Sequence, residues 1–164
     1  MEADFERFSI YGFSIDYPKD CRVEFNPKSK RDAGDVVFHF PDKVKIFLSW
    51  GDLEKAVKSF HTVEEHADHS LNAVKKSGNV KKFERVSRDT LSLYSHIGVY
   101  SRVRLEEMTV GLFTGRKSIP RDAYSVHVHC QDSSRYFVIY TLIYGGTEGY
   151  EKTLMTMANS IKCH

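Results

Sequence analysis

The stretch Tyr11-Gly12-Phe13-Ser14-Ile15-Asp16-Tyr17-Pro18 decides how this chain begins to fold. Phe13, Ile15 and Tyr17 are two residues apart, so a β-strand places their side chains on one face. Gly12 supplies a flexible backbone joint before the strand, and the closing proline, which has no backbone donor, ends it. Because apolar residues also alternate upstream, we expect the first two strands to bend or pair around Gly12.

The pattern Gly-Phe-Ser-Ile-x-Tyr-Pro, followed by strands and a C-terminal helix, resembles the PsbP-like superfamily. That group includes the extrinsic PsbP subunit of photosystem II and the small Ran-binding nuclear import factor. The resemblance implies an antiparallel sheet between helices, in an α/β/α sandwich, and a role as a protein-binding or accessory module. One departure is that Lys19-Asp20-Cys21 follows the proline, where such proteins often have a tryptophan. The motif is structural and implies no catalytic residues.

Length and composition favour a single globular domain over residues 1–164. A chain of this length buries roughly 70% of the surface that it exposes when unfolded, and no linker or internal repeat marks a second domain. The 24 basic and 22 acidic residues leave a net charge of +2. This balance argues against general affinity for nucleic acid, which needs a strongly basic face.

Cysteine usage and the N-terminus favour a cytoplasmic protein. Cys21, Cys130 and Cys163 are an odd number of cysteines at unrelated spacings, without a Cys-x-x-Cys motif. This pattern argues against a disulfide framework or a zinc knuckle, and it favours a reducing compartment. The N-terminus lacks the basic start and apolar run of a signal peptide. No apolar run approaches the roughly 20 residues that a membrane span needs.

Alternating apolar side chains predict strands over most of the chain. The clearest hairpin joins residues 35–40 to residues 44–50. Residues 81–93 alternate weakly, as expected for an edge strand, whereas 136–144 are apolar on both faces except for one threonine, as in a central strand covered on both sides. The glycine-containing segment 111–120 interrupts the alternation and is predicted to be a loop. Further strands are predicted at residues 22–26, 96–108 and 124–131.

Two helices are predicted among these strands. Apolar residues recur every three or four positions over 53–77, which indicates one buried helical face. Thr62 and Glu65 have the spacing of a capping box, so this helix is either continuous or divided near His61. Thr147 can cap the last helix. Because strands joined by short turns are antiparallel neighbours, this order favours an α+β fold with a mostly antiparallel sheet packed by both helices.

Two groups of histidines suggest a metal site. His127 and His129 lie two residues apart on a predicted strand and therefore on one face, a geometry that zinc and copper sites use. Of the three on the middle helix, His69 points away from the sheet on a helical wheel, and His61 and His66 flank the apolar face on opposite sides. Each pair supplies two ligands, fewer than the three or four that a firm zinc site needs.

No residue pattern predicts catalysis. Cys130 alternates with valines on an apolar strand face and is interpreted as an inert core residue. Cys163 lies in the last two residues, where fraying is expected. The sequence contains no Gly-x-Ser-x-Gly, His-Glu-x-x-His or phosphate-loop motif. We therefore predict neither an enzyme nor a bound cofactor.

Clusters of basic residues offer docking sites for an acidic protein surface, although each is also typical of solvated loops. The best candidate is the segment that contains Arg116, Lys117, Ile119 and Arg121, and the second is the group Lys28, Lys30 and Arg31. Another cluster, Lys75 and Lys76 with Lys81 and Lys82, suits a helix C-terminus. If exposed, Tyr100 and Tyr124 would supply the aromatic anchors that interfaces favour.

The sequence thus favours a non-catalytic protein-binding or accessory domain. The alternative is a carrier of a small ligand or metal, using the face of His127 and His129 or a cleft beside the sheet. A flat aromatic patch rimmed by basic residues would favour the first hypothesis. An open cleft with convergent polar groups would favour the second.

Overall fold

The computed structural model describes residues 4–93, 96–113, 115–144 and 149–163. Within these ranges the chain forms antiparallel strands and three α-helices, which confirms the predicted α+β class. In chain order the elements are β1 (Phe5–Ile10), β2 (Phe13–Pro18), β3 (Arg22–Phe25), β4 (Ala33–His39), β5 (Lys45–Asp52), α1 (Leu53–Ser59), α2 (Val63–Lys75), β6 (Val80–Leu93), β7 (His96–Gly111), β8 (Gly115–Cys130), β9 (Arg135–Tyr144), α3 (Gly149–Asn159) and β10 (Lys162–Cys163).

Two sheets and three helices form the layers of the fold. The main sheet has the strand order β3-β4-β5-β9-β8-β7-β6, and the smaller sheet has the order β1-β2-β10. One face of the main sheet packs against the smaller sheet and α3, since Phe13 of β2 and Leu154 of α3 share a core with Phe137 of β9. On the opposite face, His66 of α2 lies with its ring 4.8 Å from that of Tyr136 of β9. The main sheet therefore lies between helices.

The opening stretch forms the second half of the β1–β2 hairpin, as predicted. Tyr11 and Gly12 occupy the turn with φ of 51° and 74°, the left-handed conformation that a tight hairpin turn requires. Phe13 and Ile15 are completely buried. The ring centre of Phe13 in β2 lies 4.9 Å from that of Trp50 in β5. This hairpin therefore packs the smaller sheet against the main sheet.

The middle helix is divided, in agreement with its capping-box signal. α1 ends at Ser59 and α2 begins at Val63. The backbone N–H of Glu65 donates to Thr62 Oγ1 at 3.1 Å, while the Glu65 carboxylate accepts from the His61 backbone N–H at 2.9 Å. These bonds satisfy backbone donors at the start of α2 that have no partner within the helix.

β9 lies between β5 and β8, which confirms the prediction of an interior strand. Phe137 and Ile139 face the shared core with no exposed surface. The prediction that both faces are covered is wrong, because Tyr140 on the opposite face is 36% exposed. Its ring stacks on Phe47 at 5.0 Å instead of being covered by a helix.

The prediction of a loop over residues 111–120 is wrong. Strands β7 and β8 stay paired as far as Gly111 and Gly115, through the pairs Val110–Arg116 and Thr109–Lys117. Gly115 has φ of 67° and lets the chain reverse there. The strand pattern is weak in sequence because this part of the hairpin packs on neither face, so its side chains need not alternate.

The expectation that the cysteines form no disulfide is also wrong. Cys130 of β8 is bonded to Cys163 of β10, so Cys130 is not an inert thiol and Cys163 is held within the fold. β10 pairs with β2, with Cys163 opposite Phe13, which brings together two cysteines 33 positions apart. Cys21 is free and buried, and burial raises its pKa to about 12. The odd cysteine count therefore did not indicate the redox state of these thiols.

Candidate functional site

The hairpin of β7 and β8 extends beyond the rest of the main sheet. β9 ends opposite Arg121, and β6 begins opposite Glu107. Farther along the hairpin, residues 109–111 pair only with residues 115–117 among the described residues, and Leu112 and Phe113 lie at the turn. This two-stranded projection is called the ribbon below.

The tip of the ribbon is apolar and open to solvent. Leu112 is 99% exposed, Phe113 is 100% exposed, and Val110 behind them is 78% exposed. Single exposed apolar side chains are ordinary on protein surfaces, but a contiguous group at a projecting tip is typical of an interaction site. The ribbon is therefore the candidate functional site of the chain.

Two exposed cations flank the apolar tip. Arg116 lies directly opposite Val110 on the ribbon, and Lys117 lies opposite Thr109. At the base of the ribbon, Lys82 pairs with Glu106. No ion pair with another described residue engages the side chain of Arg116 or Lys117. Their charges therefore stay available to a partner.

The other predicted residues of this segment lie at the base of the ribbon. Ile119 is half-buried opposite Glu107. The guanidinium of Arg121 forms an ion pair with Glu107 at 3.0 Å and lies 4.1 Å from the centre of the Tyr144 ring. Arg121 is thus engaged within the fold, so the predicted docking segment divides into an exposed part and a structural part.

The second predicted group, Lys28, Lys30 and Arg31, lies at the opposite end of the main sheet. This turn follows β3, and its Lys30 carbonyl accepts a hydrogen bond from Trp50 Nε1 at 2.8 Å. Trp50 pairs with Phe137 near the start of β9, whereas Arg121 pairs with Tyr144 at its end. The two basic groups therefore do not form one surface.

Tyr100 and Tyr124 are not surface anchors, because each is only 5% exposed. The Tyr100 hydroxyl instead donates to the Glu151 carboxylate. The exposed anchor that sequence reasoning missed is Phe113. Its sequence signal is an apolar pair, Leu112-Phe113, in the short interval between Gly111 and Gly115, where turns are usually polar.

The histidines meet in a way that the helical wheel did not predict. His66 of α2 faces the sheet, and its Nδ1 lies 3.1 Å from Nε2 of His129. Its ring centre is 5.2 Å from that of His127, whose Nε2 is 3.1 Å from Ser70 Oγ. The conclusion that helix and strand each offer separate pairs is therefore wrong. His69 is exposed, as predicted.

Burial keeps these imidazoles neutral. Burial, with a smaller contribution from the neighbouring His129, lowers the pKa of His66 to about 4. Burial also lowers the pKa of His127 to about 3, with His66 as the next contribution, and lowers the pKa of His129. The contact between His66 and His129 is thus a hydrogen bond between neutral rings, in which one ring donates and the other accepts.

An open cleft of about 570 Å³ lies between α2 and the main sheet, beside the histidines. Ser125 Oγ and His127 Nδ1 are buried there without a hydrogen-bond partner among the described residues. The neutral imidazoles and the mainly apolar walls suit a small uncharged molecule more than an ion. The small-ligand carrier stays a hypothesis, and this cleft is where its ligand would lie. Apolar walls come from Leu71, Val74, Val103 and Leu142.

We expect stability to fall as the pH is lowered from 7 to 5. An unfolded histidine has a pKa of about 6.5, whereas folded His66 has a pKa of about 4. Between these two pH values the unfolded chain binds more protons than the folded chain does. The free energy of unfolding then decreases by up to about 1.4 kcal/mol per pH unit for each such ring. Urea unfolding at pH 7, 6 and 5 measures this slope.

His66→Gln should flatten the pH slope, because one proton-linked group is removed. The matched control His61→Gln changes an exposed ring and keeps the backbone N–H that caps α2, so it should leave the slope unchanged. A parent protein with equal stability at pH 7 and pH 5 would show that the buried rings accept protons in the folded state.

Comparisons with solved structures agree with this architecture. Cyanobacterial PsbP (CyanoP) from Synechocystis superposes with a TM-score of 0.69 at 12% identity, over 100% of this chain and 95% of that chain. The Ran-binding protein Mog1p from Saccharomyces cerevisiae gives a TM-score of 0.63 at 11% identity, over 99% and 96%. This chain has the fold of the PsbP-like superfamily. A Bacteroides thetaiotaomicron structure matches with a TM-score of 0.55 at 13% identity, and the match covers 49% of that chain.

The PsbP-like likeness confirms the resemblance drawn from the opening stretch and concerns the fold alone. No protein-family model and no curated protein matches the sequence. None of the helices in the described ranges is long and apolar enough to cross a membrane.

Proposed function

We propose that the protein is a non-catalytic protein-binding domain that docks through the ribbon. The observation that carries this proposal is the complete exposure of Leu112 and Phe113 at the tip of a projecting hairpin. The similarity in fold to a protein described as Ran-binding is compatible with a protein partner.

Two adjacent apolar side chains require an apolar pocket on the partner. Burying a Leu or Phe side chain contributes about 1.5–3 kcal/mol each, which is enough to make both residues anchors of the interface. Hairpin pairing holds both strands behind the tip, through the pairs Val110–Arg116 and Gly111–Gly115. Less conformational freedom is then lost on binding than for an unstructured loop.

Arg116 and Lys117 favour a partner with acidic groups around that pocket. The net charge of +2 is too small for strong long-range attraction, so local clustering must supply any electrostatic steering. Exposed charges at an interface rim mainly change the rate of association and its salt dependence. The partner class is therefore a protein with an apolar pocket and an acidic rim.

The test is the affinity of a partner captured by the parent protein, measured again with a Leu112→Ser, Phe113→Ser variant. Losing both anchors should weaken binding at least 100-fold, because about 3 kcal/mol or more of apolar burial is removed. Arg116→Glu with Lys117→Glu should slow association, and the parent's affinity should fall as salt is added. Calorimetry and surface plasmon resonance measure these quantities.

The control variant is Ile97→Ser, which removes an apolar side chain that is 59% exposed near the other end of β7. It should bind like the parent. The tip variant should keep the melting temperature of the parent, since its side chains contact solvent in the folded state. Unchanged affinity in a folded tip variant would exclude the ribbon from the interface.

A further inference from the structure

Three side chains with metal-binding atoms converge far from the ribbon, where β7 begins and β8 ends. The Nε2 atom of His96 lies 3.0 Å from the Cys163 sulfur and 3.9 Å from the Cys130 sulfur. Among the described residues, this is the one group of three histidine, cysteine or acidic side chains whose ligand atoms all lie within 4.8 Å of one another.

The fold itself brings this group together. Ile97 pairs with His129, so the preceding His96 and the following Cys130 are cross-strand neighbours on one face. β10 adds Cys163 from the smaller sheet. His96 is 8% exposed and Cys130 is completely buried, so the imidazole has the sulfur atoms as its near polar neighbours within an apolar core.

We propose that, when the Cys130–Cys163 disulfide is reduced, these two cysteines and His96 bind one zinc ion. Thiolate and imidazole are the ligands that zinc prefers in proteins. The oxidised protein holds both sulfurs in a covalent bond and has no thiolate to offer. The site therefore exists in one redox state of the chain only, and it is separate from the proposed docking ribbon.

Reduction of the disulfide and binding of zinc are two separate steps. A dithiol reductant transfers two electrons and two protons to the disulfide, so that its S–S bond breaks, two thiols form, and the reductant becomes a disulfide. Zinc then displaces the two thiol protons, and the sulfurs bind as thiolates. His96 binds through neutral Nε2.

Small movements convert the disulfide geometry into a metal site. Zinc bonds of about 2.3 Å to sulfur and about 2.0–2.1 Å to nitrogen place tetrahedral ligand atoms roughly 3.5–3.8 Å apart. The distances from His96 to the sulfurs, 3.0 and 3.9 Å, are already close to this range. Only the two sulfurs must separate, and Cys163 lies on a strand of two residues that can shift.

Ser133 supports the thiolate form, because its hydroxyl donates to the Cys130 sulfur at 3.1 Å. Such a hydrogen bond stabilises and orients a metal-bound thiolate. Three protein ligands leave a fourth position on the ion for water. The geometry thus describes a Cys₂His site with one open position.

Cobalt(II) titration of protein treated with a phosphine reductant tests the proposal, because thiolate-bound cobalt has a strong charge-transfer absorption. We expect one cobalt per chain in the reduced parent, displaced by zinc, and no thiolate absorption in the oxidised parent. His96→Gln should weaken binding tenfold or more. The matched control Cys21→Ser should bind like the parent, because Cys21 lies outside the group.

Three results would overturn the proposal: no thiolate absorption in the reduced parent, equal binding by the oxidised protein, or binding that is lost in Cys21→Ser. If reduction destabilises the fold, thermal unfolding with and without zinc provides a second test of the site. Zinc should raise the unfolding temperature of the reduced parent and leave that of the oxidised parent unchanged. If the unfolded chain bound zinc through its cysteines alone, affinity would not depend on His96, and that outcome would also reject the site.

Discussion

Ile139→Asp is expected to unfold the domain. Ile139 has no exposed surface, and its strand β9 is paired on one side with Leu48 of β5 and on the other with Val126 of β8. The substitution removes the packing of a buried side chain and leaves a carboxylate without a partner in the core. The combined loss is on the order of 5 kcal/mol or more, similar to the whole stability of many domains.

Circular dichroism and thermal unfolding measure this effect. Ile139→Val is the conservative control and should cost only about 0.5–1.5 kcal/mol. Tyr140→Asp introduces the same carboxylate at the next residue, which is 36% exposed on the opposite face, so its charge reaches water and the domain should stay folded. An Ile139→Asp protein that melts within a few degrees of the parent would contradict the core position of β9.

The parts of the fold that were predicted from sequence are those in which burial imposes a period. The alternation of Phe13 and Ile15 reflects a strand packed against a core, and it was confirmed. The apolar run at 136–144 correctly predicted an interior strand, although only one of its faces is fully buried. The division of the middle helix was visible because Thr62 and Glu65 cap α2 locally. Helix-capping residues and the periodic burial of apolar side chains can both be recognised from the sequence alone.

The ribbon and the disulfide were missed for physical reasons. Residues 115–117 are exposed and pack against no second layer, so burial imposes no alternation of apolar side chains there. The Cys130–Cys163 bond depends on β10 joining β2 across the fold, a contact that spacing along the chain does not encode. A helical wheel likewise placed His66 correctly beside the apolar face of the helix. It could not predict where α2 lies along the sheet, and therefore not that His66 contacts His129.

Loss of the disulfide is expected to give the second largest effect on stability. The bond joins residues 33 positions apart, and in the chain-entropy account a closed loop of that length contributes roughly 3–4 kcal/mol. Cys163→Ser should therefore lower the free energy of urea unfolding by about that amount, measured with a chelator present so that no metal replaces the bond. A reductant should lower the stability of the parent to a similar value and leave Cys163→Ser unchanged, which separates the cross-link from the loss of the side chain. Equal stability of the oxidised and reduced parent would mean that β10 stays docked through its pairing with β2 alone, and that the bond does not hold the two sheets together.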